Sequence, residues 1–189
     1  MIVLWILLAL LALFLGVIVA RALAFRPAPQ AEAEPETLAV DEQGALRRFV
    51  EMIRCKTVSS MDPEKEDAAE FARFRELLTT AYPAVTAACP REELGKRGLL
   101  YTWKGKTPGQ PSVLMAHYDV VPVIESEWHE PPFAGVVKEG ELWGRGTLDT
   151  KGTLHGVMEA AELLIRQGFV PEHDVYFAFG GDEEISGGD

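Results

Sequence analysis

Residues 151–184 read KGTLHGVMEAAELLIRQGFVPEHDVYFAFGGDEE, and the order of hydrophobic periods within them decides the fold. Leu154, Val157, Met158, Ala161, Leu164 and Ile165 recur at i, i+3, i+4, i+7, i+10 and i+11. That spacing lays one apolar stripe along a helix from about residue 151 to 167, and Gly168 stops it. The run VYFAF at 175–179 is continuously apolar, as in a strand buried in a parallel sheet. A further strand is read upstream at 112–116, so the order is strand, helix, strand, which argues an α/β sandwich.

Working toward the N-terminus, Gly135 to Trp143 reads as a hairpin broken at Glu139-Gly140, and 84–89 and 98–103 read as strands. Two helices precede them. Asp41 caps one that runs to about Arg54 and carries Leu46, Phe49, Val50 and Ile53 on one face. The other runs from Glu66 to Thr80, with Ala69, Phe71, Phe74, Leu77 and Leu78 as its apolar face, and ends at Tyr82-Pro83. Before these, residues 25–37, FRPAPQAEAEPET, hold three Pro and three Glu and read as an extended stalk within a 25–40 segment. The chain starts with an apolar segment, IVLWILLALLALFLGVIVA at 2–20, long enough to cross a bilayer core of about 30 Å. Its length and the lack of a preceding Lys or Arg favour an uncleaved anchor over a signal peptide. Ala22-Leu23-Ala24 resembles a cleavage site, in which case the remainder is secreted. The expected organisation is therefore anchor or signal at 1–24, stalk at 25–40, and a folded part at 41–189.

The balance of 18 Lys+Arg against 29 Asp+Glu gives a formal net charge of −11. With no basic cluster to meet phosphates, a nucleic-acid partner is excluded. Cys55 and Cys89 form no CxxC pair and read as two buried thiols, a single disulfide being the alternative. The chain contains no Asn, which excludes N-glycosylation.

Three clusters carry chemical potential, and each has an ordinary structural reading beside it. His117 and Asp119 follow the 112–116 strand, and their i, i+2 spacing puts both on one side of extended backbone. A metal-binding His is usually oriented by such an acceptor, but a His at a strand end also serves as a plain hydrogen-bonding residue. Asp149 closes the loop GRGTLDTKG at 144–152 just before the long helix, where an Asp is also an ordinary N-cap. Asp182-Glu183-Glu184 follow the 175–179 strand. Adjacent carboxylates at a buried strand end repel one another, and a cation would relieve that; a solvated acidic turn is the alternative. Because open α/β sheets place ligands at the carboxyl ends of their strands, the three clusters together suit zinc or a similar divalent ion. His129, His155 and His173 carry no motif and read as structural or solvated.

At this point the residues resemble a known family. LMAHYDVVPV, the pattern Trp128, Pro132, Phe133, Gly135, then GRGTLDTKG and GGDEE resemble the di-zinc exopeptidases and deacylases that include carboxypeptidase S, glutamate carboxypeptidase G, acetylornithine deacetylase and the aminoacylases. The HYDVVPV and PPFAG stretches are most similar to the carboxypeptidase S and N-acyl-amino-acid hydrolase branch. The resemblance covers roughly Asp41 to Asp189. It implies a three-layer α/β sandwich with a mostly parallel sheet, of which this chain holds an incomplete, N-terminal part. It implies that His117 binds one zinc ion, Asp149 bridges two, and Glu184 binds the other. Asp119 would orient His117, and Glu183 would be the general base and acid. Co2+ or Mn2+ would be substitutes for Zn2+. Gly152 and Gly181 depart from residues seen in some relatives and bear on subgroup rather than on chemistry.

The resemblance also implies a later carboxylate ligand, a late His ligand and an inserted domain through which a homodimer forms. None of these is found in the 189 residues. The expectation is thus a truncated, membrane-anchored enzyme for a small peptide or an N-acyl-amino acid, with little turnover as it stands. The alternative is a membrane-tethered binding module that kept the fold without the chemistry.

Overall fold

The computed structural model describes residues 1–27 and 39–188. The chain divides into two units, Met1–Ala39 and Val40–Asp189. Most of the stalk read at 25–40 lies outside the described residues.

In the first unit, α1 (Ile2–Ala24) is one uninterrupted helix with no buried residue, and Arg21 is its one charged side chain. At about 1.5 Å per residue its 23 residues are long enough, and with a mean hydropathy of 3.2 apolar enough, to cross a membrane.

The second unit carries α2 (Glu42–Arg54), α3 (Ala68–Ala81), α4 (Pro83–Ala88), β1 (Arg91–Leu94), β2 (Gly98–Trp103), β3 (Ser112–His117), β4 (Val136–Lys138), β5 (Glu141–Trp143), α5 (Lys151–Arg166) and β6 (Val175–Gly180). Asp41 caps α2 by accepting from the Gly44 amide at 2.9 Å, and Asp67 caps α3 through Ala69 at 3.0 Å; each side chain satisfies one of the first-turn donors a helix leaves open. β4 and β5 form a separate two-stranded hairpin.

The main sheet has the order β1-β2-β6-β3. β3 and β6 are parallel, joined by α5 as the strand–helix–strand reading expected, whereas β1/β2 and β2/β6 are antiparallel. The α/β class holds, but the sheet is mixed rather than mostly parallel. The cause is loop length: three residues separate β1 from β2 and eight separate β2 from β3, too few for a parallel crossover, which needs a dozen or more.

One face of the sheet presents Leu99, Tyr101, Trp103, Phe177 and Phe179, which form a single core cluster with Phe74, Leu78, Tyr82, Val85, Leu154, Met158 and Ala161 of the helices. On the other face Leu100, Ala178 and Met115 share one register row, and Met115 is 73% exposed. The described residues thus form two layers, helices and sheet, of the expected incomplete sandwich.

Two local readings are corrected. Residues 84–89 read as a strand, but 84–88 lie in α4, in which Pro83 takes the first helical position. The Glu162 carboxylate of α5, 5% exposed, then accepts from the Ala84 and Val85 amides at 2.9 and 3.0 Å. β1 was not anticipated, since its REEL side chains are all exposed; a short charged strand is how a sheet edge is kept from pairing onward. Because Glu162 satisfies two orphan amides, Glu162→Ala is expected to cost about 1–3 kcal/mol, read from the shift in urea midpoint at unchanged slope.

Candidate metal centre

His117 is the last residue of β3 and lies beside Gly180, the last residue of the parallel β6. Register alone therefore brings the two following loops to one sheet edge. The Tyr118 amide continues the ladder by donating to Gly180 O at 2.9 Å. The loop after β6 then forms one 3-10 turn, Glu183–Ile185. Gly181 is needed for the approach: a Cβ there would lie 2.7 Å from the Tyr118 hydroxyl and 2.7 Å from Arg97 Cβ.

Asp119 is fully buried and binds both loops. Its carboxylate accepts from the Glu183 amide at 3.2 Å, the Glu184 amide at 3.1 Å and the Ser59 hydroxyl at 2.8 Å. Its Oδ1 also lies 3.2 Å from His117 Nδ1, while its backbone carbonyl lies 3.1 Å from the same nitrogen. Two acceptors on Nδ1 fix the ring so that Nε2 faces outward. Nε2 lies 3.1 Å from Asp149 Oδ1 and 3.6 Å from Glu183 Oε2. His117, Asp149 and Glu184 each offer one ligand atom, and these atoms all lie within 4.8 Å of one another.

The electrostatics fit a cation. Burial disfavours a charged His117, but the carboxylates of Asp119, Asp149 and Glu183 outweigh it and raise its pKa above the ordinary value. Glu184 is also raised, first by burial and then by Asp149, Asp119 and Glu183, with His117 opposing. One imidazole nitrogen and two carboxylates in that setting form a donor set of the kind that binds zinc and similar ions.

His117, Asp149 and Glu184 converge, Glu183 stands beside them, and Asp119 lies beneath. Asp149 is not a helix cap: Thr150 takes that position, and the Asp149 side chain points to His117 instead. Both cysteines are free and buried, so the disulfide alternative falls.

Sequence reasoning missed two contributors. Residues 57–59 pair with the His117 loop, through Val120 N to Thr57 O at 2.9 Å and Ser59 N to Val120 O at 3.1 Å, which sets the Ser59 hydroxyl on Asp119. Lys151 is the other, fully buried, its Nζ donating to Cys55 O at 2.7 Å and Met52 O at 3.1 Å; burial pushes its pKa down to about 8.

His155 has a structural setting of its own. Its Nδ1 lies 3.0 Å from the Tyr82 hydroxyl, and its ring stacks on Phe49 at 4.7 Å. Arg48 and Glu159 adjoin it as a bidentate pair at 2.6 and 2.7 Å. Burial, opposed by Glu159 and aided by Arg48, holds His155 below its ordinary pKa. The unfolded chain then binds more protons than the folded one between the lowered value and about 6.5. Stability contributed by His155 is full above that window and lost as pH falls through it. Relative to His155→Phe, the unfolding free energy of the wild type is expected to decline from pH 7 to 5, measured by urea denaturation at each pH; a constant difference would contradict the assignment.

The α/β sheet and helix layer match the fold of solved peptidase structures. A metallo-carboxypeptidase of the M20 family from Sulfolobus solfataricus superposes with a TM-score of 0.62 at 22% identity, covering 77% of this chain and 32% of the other. A dipeptidase from Saccharomyces cerevisiae superposes at 0.60, with 18% identity over 76% of this chain and 33% of the other. Residues 113–189 match the model of peptidase family M20/M25/M40. A probable carboxypeptidase S-like protein of Dictyostelium discoideum is 37% identical over 75% of this chain and 28% of its own length. An N-fatty-acyl-amino acid synthase/hydrolase of Bos taurus is 36% identical over 81% of this chain and 31% of its own. The chain thus spans under a third of the length of these curated relatives.

Proposed function

We propose that the chain forms the N-terminal part of the catalytic domain of a zinc-dependent amidohydrolase, acting on a small peptide or an N-acyl-amino acid. The observation that carries this is the convergence of His117, Asp149 and Glu184 within 4.8 Å, in a chain related to carboxypeptidase S-like proteins and N-acyl-amino acid hydrolases.

In this reading His117, Asp149 and Glu184 hold zinc. When bound, zinc supplies Lewis-acid polarisation of the scissile carbonyl and makes water more acidic. Glu183, close to His117 but outside the three-ligand group, takes the proton from the attacking water at its carboxylate and passes it to the leaving amine. Asp119 keeps the His117 ring oriented while also fixing the amides of Glu183 and Glu184. If two ions share Asp149, one is left with His117 and the other with Glu184, so each has two protein ligands where catalytic zinc ordinarily has three. The 189 residues alone are therefore expected to bind zinc weakly and turn over little. Hydrolysis of N-acyl-amino acids and dipeptides by the purified chain with added zinc tests this. Substantial turnover refutes the inactivity, while activity gained only in a longer chain with a further carboxylate and a late His supports the whole reading.

We also propose that α1 tethers or targets the protein at a membrane, on the strength of its length and hydropathy. Resistance of the expressed protein to alkaline carbonate extraction would support an uncleaved anchor; a shortened, released product would support a signal.

A further inference from the structure

Asp149 is an exposed ligand candidate, its side chain 78% accessible, in contact with His117. An exposed carboxylate does not fix its own position, so its place is inherited from the backbone of the loop 144–150. Lys151 holds that loop in two ways. Its amide donates to Gly146 O at 3.0 Å, and its aliphatic stem lies under Gly146, where an added Cβ would come 3.3 Å from Lys151 Cδ and 2.8 Å from Val120 Cγ1. Gly146 has φ +88°, a conformation that suits glycine. The Lys151 ammonium then reaches Met52 O in the last turn of α2 and Cys55 O just after it, carbonyls that also accept from the Cys55 and Thr57 amides at 3.3 and 2.9 Å and lie at the helix end that carries partial negative charge. The Phe74 ring lies 5.2 Å from the same nitrogen and adds a cation–π contact.

A cation is a costly choice for a fully buried site, because its desolvation offsets much of what its partners return. Packing alone would be met by methionine. What lysine adds is a directed tie between the end of α2 and the start of α5. We propose that Lys151 is a positioning residue for the metal loop, its buried ammonium holding residues 146–150 against α2 so that Asp149 stays within ligating reach of His117 and Glu184. This rests on the reading of those three residues as a metal site.

The test uses the full chain in detergent, with Lys151→Met and Asp149→Ala compared to wild type. Co2+ is the probe, followed by its visible spectrum, and stability is followed separately by urea denaturation without metal. Lys151→Met is expected to unfold at an equal or higher urea midpoint, because apolar isosteres often replace buried charges without loss. It is also expected to bind Co2+ about 10–100-fold more weakly, with an altered spectrum. A merely structural lysine would lower stability and leave the spectrum alone. Wild-type Co2+ affinity and spectrum in Lys151→Met, with binding lost in Asp149→Ala, overturn the positioning role while sparing the metal site. Equal, negligible Co2+ binding by wild type and Asp149→Ala overturns the metal site and the proposal with it. If Lys151→Met does not fold, native-state hydrogen exchange of the wild type decides. Amides 146–150 opening together with the last turn of α2 support the tie, and loop opening at a much lower free energy refutes it.

Discussion

Asp119→Ala is expected to destabilise the second unit by about 3–5 kcal/mol, the range for removing one partner from a buried charged network. Asp119 is fully buried and joins three separate segments. Its carboxylate receives the Ser59 hydroxyl at 2.8 Å and the amides of Glu183 and Glu184 at 3.2 and 3.1 Å, and it faces His117 Nδ1 at 3.2 Å. Alanine leaves those donors in a dry pocket, and each unsatisfied donor costs about 1–3 kcal/mol. The separate penalties do not add fully, because the loop after β6 is near the surface and relaxes toward water. The loss is nonetheless a large fraction of the about 5–15 kcal/mol that a domain possesses. Metal affinity should fall with it, since both the His117 ring and the Glu184 backbone lose their anchor. Urea denaturation and Co2+ titration of the variant measure both effects; a loss below about 1 kcal/mol would mean that water reaches these donors and that Asp119 is not the pivot between the loops.

The parts of this arrangement legible in sequence share a property: their signals are local. The α5 stripe, the β6 run and the adjacency of Asp182, Glu183 and Glu184 to a strand end are all written within a few residues. What was not legible depends on distant partners. Residues 84–88 are too short and too mixed for a period to show, and α4 is stabilised by Glu162, 78 positions away. Ser59 reads as one of two serines in a polar stretch until the bridge to Val120 places it on Asp119. Asp149 is a plausible N-cap by every local rule, and what takes it elsewhere is His117 at the end of a strand 32 positions earlier. Lys151 did leave a trace. A lysine at the first position of a helix opposes the dipole, and it lies on the stripe of Leu154 and Met158, where a charge is out of place. The mixed sheet is likewise written in the short links around β2, which fall below the minimum for a parallel crossover.

Asp149→Ala should separate what the carboxylates cost from what they do. Without metal its effect on stability is expected to stay within about 0.5 kcal/mol, as for other exposed substitutions. The lost contact with His117 is offset by relief of crowding, since Asp149 is among the charges that raise Glu184. With metal the sign becomes decisive. A ligand bound only by the folded state stabilises it by about 2.7 kcal/mol at a free concentration 100 times Kd. For a chain of this size that corresponds to a rise of about 5–10 °C in Tm. At a free Zn2+ concentration about 100 times its own Kd the wild type should gain that, and at the same concentration the variant should gain little, because it lacks the carboxylate that completes the ligand group with His117 and Glu184. Thermal unfolding of both proteins with chelator and with excess Zn2+ gives the four values required. Equal zinc-induced shifts in the two proteins would remove Asp149 from the site. A large loss in the variant under chelator would instead make Asp149 a structural residue of the loop, and its contact with His117 an ordinary hydrogen bond.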